Sequence, residues 1–162
     1  MGRLVLSSVC AICISNAALA EDVGMVETKR MNMTTAVQIA QGAVAACQEQ
    51  GIQIGVTVVD RDGTPQVVLR DTIAAPITVP ISKGKAYTAV MFNAATSALG
   101  DRANSPIGRV PGLVMSAGGL PVEVGGSLVG GVGVSGAPSG KTDEECAQAG
   151  IDAVLDDLEM AM

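Results

Sequence analysis

The sequence predicts an α+β domain, an antiparallel sheet with helices packed on it. Two observations predict the sheet: apolar strand-like runs are folded back on themselves at Arg61-Asp62-Gly63 and again at Gly125-Gly126, and both are tight-turn signals of a β-hairpin. A third predicts the helices: three other segments carry apolar residues at helical spacing. The order reads helix, two strands, helix, about three strands, helix.

Each element has its own signals. Thr34 or Thr35 can cap a first helix running to about Gln50, with Val37, Ala40, Val44 and Cys47 at helical spacing and Gly51 as the stop. Residues 53–60, QIGVTVVD, form a strand that the RDG turn returns into 65–70, PQVVLR. Residues 71–82 hold two prolines without periodicity and read as a loop. Ser82 then caps a second helix whose buried face is Ala86, Ala89, Val90, Ala94 and Leu99. Leu113 to Met115 reads as a short strand, followed by 120–124 and 128–134 on either side of the glycine turn. Thr142 opens the last helix, with Glu145 completing a capping box and Ala147, Ile151, Val154 and Leu158 as its apolar stripe.

Composition excludes several functions. A chain of 162 residues suits one domain, and its net charge of −6 disfavours nucleic acid. One Phe, one Tyr and no Trp leave few platforms for stacking bases or sugars. The absence of histidine removes the commonest general base and metal ligand. Gly133-Val134-Ser135-Gly136-Ala137 does not fit a nucleophile elbow, since its second glycine is misplaced and no histidine exists to activate the serine. Zinc would need a Cys or His cluster that two separated cysteines do not make, and the Asp156/Glu159 pair reads as a solvated helix face.

Residues 1–20 read as a secretory signal peptide. Arg3 is the positive start, Leu4 to Ile14 the apolar stretch, and Ala18-Leu19-Ala20 the cleavage signal. The apolar run is too short to span a bilayer, and no other segment is long enough. Residues 21–32 read as a flexible leader and 33–162 as the domain. The expected location is periplasmic or secreted, after cleavage following Ala20, with Cys47 and Cys146 left in an oxidising compartment.

The glycine-rich region from Ser116 onward has two readings. Gly118-Gly119 before Pro121 can expose backbone N–H groups to a ligand anion, or simply shape a turn and let a helix pack closely. Lys85 and Thr88, one helical turn apart, share a face and can meet an anionic ligand, with Arg70 completing a cationic pair. Asp60 reads as a cap of the first hairpin turn.

The succession VVDRDG, LRD, KAYTA, GGLPV and GGVGVSGA followed by DEECA resembles the GlcG/HbpS family, the haem-degrading domain family or DUF336, from about Met33 to Leu158. The resemblance implies a profilin-like three-layer fold, with a five-stranded antiparallel sheet and helices on both faces, and a homo-oligomer. It implies a small-molecule or tetrapyrrole ligand, haem among them, with Arg70, Lys85, Thr88, Gly118, Gly119 and Pro121 lining its site. The sequence departs from haem-binding relatives that use histidine. Met91, Met115, Tyr87, Lys85 or a threonine remain as ligands to iron, and spacing selects none. No catalytic residue stands out, so the expected role is a binding or sensor module. The alternatives are a haem-degrading enzyme and a ligand-free accessory subunit of an exported dehydrogenase. In a profilin-like arrangement the first and last helices lie side by side. Cys47 and Cys146 sit on the flanks of their apolar stripes, so an antiparallel pair of helices would bring them together as a disulfide.

Overall fold

The computed structural model describes Gly24 and residues 26–161; the segment read as a signal peptide lies outside the described residues. Helix α1 (Met33–Glu49) begins slightly earlier than the threonines suggest, because Asn32 is the cap: its Oδ1 accepts from the Thr35 N–H at 2.9 Å. It stops at Gly51, whose φ of 73° is one that glycine adopts without strain. Strands β1 (Gly55–Asp60) and β2 (Pro65–Arg70) form the first hairpin. Asp60 caps its turn, accepting from the N–H groups of Asp62 and Thr64.

Helix α2 (Thr78–Phe92) starts four residues before Ser82. Pro80 does not prevent this, since the first turn of a helix needs no N–H from it. Ser82 is therefore interior, donating to the Val79 carbonyl and hydrogen-bonded to Thr57 Oγ1 at 2.9 Å. The helix ends at Asn93 in the left-handed conformation, short of Leu99, and 3-10 turns at Thr96–Arg102 and Pro106–Arg109 follow. Strands β3 (Gly119–Val124) and β4 (Ser127–Ser135) are joined by Gly125-Gly126, both with positive φ. Helix α3 (Gly140–Met160) is capped by Ser139 rather than Thr142, whose N–H the serine accepts. Glu145 completes no box; it lies 3.9 Å from Lys141.

The sheet is antiparallel in the order β2-β1-β4-β3 and has four strands among the described residues, not five. The expected strand at Leu113–Met115 is absent. The Val114 N–H is taken by the Thr88 hydroxyl at 2.8 Å, so the segment lies on α2 instead of a strand edge.

Alternation along β4 sorts the layers. Val132 and Val134 enter the main core with Ile39, Ala43, Ala147 and Ile151 of α1 and α3. Gly131 and Gly133 face α2 so closely that a Cβ on Gly133 would lie 2.1 Å from the Ser82 carbonyl oxygen. One layer is thus α1 and α3, the middle is the sheet, and α2 covers the other face. Helices α1 and α3 run antiparallel and touch where Gly42 meets Gly150. Near the end of α1 and the start of α3, Cys47 and Cys146 are joined by a disulfide, with Cα atoms 5.6 Å apart.

Candidate functional site

Four of the six residues expected at a ligand site belong to one neighbourhood. A Cβ on Gly118 would lie 2.7 Å from Lys85 Nζ, one on Gly119 would lie 2.5 Å from the Lys85 carbonyl oxygen, and Thr88 is on the same buried side of α2. That neighbourhood is packed interior. Lys85 is not at a helix start; it lies mid-helix and is 3% exposed. Its ammonium donates to Asp143 Oδ2 at 2.7 Å and to the Val134 carbonyl at 2.9 Å. Asp143, in the first turn of α3, also accepts from the Ala137 N–H. Helix α2 and the start of α3 are thereby tied together across the end of β4.

The remaining donors are equally engaged. Thr88 donates to the Gly84 carbonyl while accepting from Val114. The Gly119 N–H is bound by the Thr96 hydroxyl at 2.9 Å, and Gly118, at φ 117°, offers its N–H to Glu144. Pro121 is a half-buried position of β3 opposite Gly131. Arg70 does not join Lys85 as a cationic pair. Its guanidinium donates to the carbonyls of Asp71, Thr72 and Ala74, closing the loop that leads to α2.

The other side of α2 is different. Pro80, Lys83, Gly84 and Tyr87 follow i, i+3, i+4, i+7 spacing and line a groove of about 550 Å³. The β1–β2 turn, from Asp62 to Pro65, forms one wall, and Pro111-Gly112 forms another. Its volume is within the roughly 300–1,000 Å³ of small-molecule sites. Smaller hollows occur beside Met31 and Leu158, about 320 Å³, and beside Glu144 and Gln148, about 210 Å³.

The groove combines apolar walls with a few polar groups. Pro65, Pro80 and Pro111 are rigid and carry no N–H to satisfy. Tyr87 is half-buried, and its ring lies against the hairpin turn: a Cβ at Gly63 would fall 2.5 Å from Tyr87 Cδ2 and 3.2 Å from Met91 Cε. Gly63 also has φ 81°, so two constraints keep it glycine. Lys83 is exposed, and neither it nor the Tyr87 hydroxyl has a hydrogen-bond or ion-pair partner among the described residues. Asp62 is held by Arg30. Sequence analysis raised Tyr87 only as one possible ligand to iron and did not single out Lys83; the helical spacing of Pro80, Lys83, Gly84 and Tyr87 was the available signal.

Of the residues weighed as ligands to iron, Lys85 and Met115 are buried, whereas Tyr87 lines the groove and Met91 packs beside it. Among the described residues no group of three Cys, Asp or Glu side chains is placed to hold a metal, and no helix is long and apolar enough to cross a membrane.

Comparison with known proteins gives one family. A family model described as haem degrading protein HbpS-like matches residues 31–152. A crystal structure of HbpS is 38% identical with a TM-score of 0.76, covering 80% of this chain and 94% of that one. A double mutant of Streptomyces reticuli HbpS is 34% identical with a TM-score of 0.77, covering 93% and 99%. A haem complex of PduOC is 29% identical with a TM-score of 0.71, covering 76% and 94%. No curated protein matches the chain.

Proposed function

The chain belongs to the HbpS-like family of haem degrading proteins, and on that footing we propose that it is an exported binding or sensor module for haem or a comparable small anionic ligand. The observation that carries this is the groove on the outer side of α2. It has proline walls, a cation and a phenol without partners among the described residues, and a volume suited to a small molecule.

The chemistry of the lining fits haem. The proline faces suit a flat apolar ring system. Lys83, on the rim, suits a propionate carboxylate, because an ammonium at an exposed edge keeps its hydration until a carboxylate replaces it. Gly63 and Gly84 let the walls of the groove close on α2: a Cβ on Gly63 would meet the Tyr87 ring, and one on Gly84 would meet Val114 and the Gly112 carbonyl. Haem, when bound, supplies an iron that exchanges electrons and ligands; the protein's part is to orient it and to limit water. The haem complex of PduOC supports the reading by likeness. Export is supported by the composition of residues 1–20 and by the Cys47–Cys146 disulfide, a bond characteristic of oxidising compartments.

The test is titration of the mature protein with haemin, followed at the Soret band. Saturable binding that Lys83→Glu weakens about 10-fold, through repulsion of the carboxylates, is expected. A flat titration would overturn the proposal and favour an accessory subunit without a ligand. The family description itself favours a second reading, turnover of haem. Formation of an opened tetrapyrrole in the presence of a reductant separates that from binding alone.

A further inference from the structure

Resting on that reading of the groove, we infer that Tyr87 is the residue that ligates the iron, as a phenolate. The chain has no histidine, and its described cysteines are joined to each other. That leaves thioether, amine, alcohol, carboxylate and phenol donors. Lys85 and Met115 are inside the fold, and the Lys85 ammonium is already bound to Asp143. Among the groove residues, Asp62 is paired with Arg30, and Thr64 offers only a neutral alcohol. Lys83 is exposed at the groove, where a strongly hydrated ammonium matches a propionate carboxylate rather than iron. Tyr87 is the chain's one tyrosine, lines the groove and has no other partner among the described residues.

A phenolate is a hard anionic donor, so it selects ferric over ferrous iron and belongs to the known range of haem ligands. Ligation removes the phenol proton, which passes to solvent as the oxygen–iron bond forms. Lys83 precedes Tyr87 by one helical turn on the same groove wall, so one helix face would hold a propionate at Lys83 and the iron at Tyr87. Met91, one turn beyond Tyr87, packs beside the same hairpin turn, where a soft sulfur would favour ferrous iron instead. The two donors therefore make opposite spectroscopic predictions.

The experiment compares haemin with metal-free protoporphyrin IX in the mature wild type, Tyr87→Phe and Tyr87→His. Wild type should give a ferric high-spin complex with a phenolate-to-iron charge-transfer band and phenolate modes in the resonance Raman spectrum. Tyr87→Phe should lose both features and bind haemin about 10-fold or more weakly, while its affinity for metal-free protoporphyrin stays unchanged. Tyr87→His should replace the phenolate signature by an imidazole one, which a misfolded variant would not do. An unchanged haemin spectrum and affinity in Tyr87→Phe would overturn the ligand assignment and leave the groove reading standing. Failure of both porphyrins to bind wild type would overturn both.

Discussion

Lys85 shows how far a residue's surroundings govern its role. In the sequence it is a helical lysine next to a threonine partner. In the fold it is a nearly dry cation whose charge is balanced by Asp143. A buried pair of this kind adds little over an apolar pair of the same shape, yet breaking it leaves one charge stranded. Lys85→Met is therefore expected to cost about 3–5 kcal/mol in urea unfolding. Adding Asp143→Leu to Lys85→Met should recover part of that loss, not all, because the Ala137 N–H also relies on the Asp143 carboxylate. If Lys85→Met alone is neutral, the ion pair is not the tie between α2 and α3 described above. The same surroundings redirect the expectation for Gly119. A valine there meets the Lys85 main chain, so it should harm folding before it affects any ligand.

At the scale of elements, glycine in β4 fixes how closely α2 approaches the sheet. A methyl on Gly133 would meet the Ser82 carbonyl at 2.1 Å and the Ala86 nitrogen at 2.5 Å, both helix backbone that cannot turn aside. Gly133→Ala should cost about 3 kcal/mol, the upper end of overpacking, and lower the melting temperature accordingly. A small effect would mean that α2 shifts as a rigid body with little loss. On the opposite face α1 and α3 are held by the Gly42–Gly150 approach and by the disulfide, which spans a sequence separation of 99 residues. Chain entropy assigns such a bond about 4–5 kcal/mol, less any strain. The non-reduced mature protein should show no free thiol by mass spectrometry. Cys47→Ala with Cys146→Ala should melt well below wild type, and equal melting temperatures would deny the bond a role in stability.

For the whole molecule, the expected product is an exported homo-oligomer. Mass spectrometry of secreted material should place its first residue at Glu21, and light scattering should give a mass several times that of one chain. Exposed Val68, Ile73 and Ile77, on β2 and the approach to α2, are apolar surface that self-association would cover. A monomer at micromolar concentration would remove that explanation for them.

The sequence by itself determined the α+β class, both hairpins and their turns, and the three helices in order. These depend on interactions a few residues apart: turn glycines, an apolar period, a polar cap. Its errors were local too. Asn32 and Ser139 took the caps expected of neighbouring residues, and residues 78–82 were read as the end of a loop although the first helical turn tolerates Pro80. The apolar period marked Ala86, Ala89 and Val90 as a buried side of α2, and they are buried against the sheet; tertiary structure alone decided that polar groups share that side. Apolar periodicity cannot show that the same side also buries Lys85, Thr88 and Ser82, which are satisfied by partners far along the chain. Burying that side turned Lys83 and Tyr87 outward, toward a groove whose other walls come from the β1–β2 turn and from Pro111-Gly112. Three segments distant in sequence meet there, and no pattern within any one of them specifies the meeting.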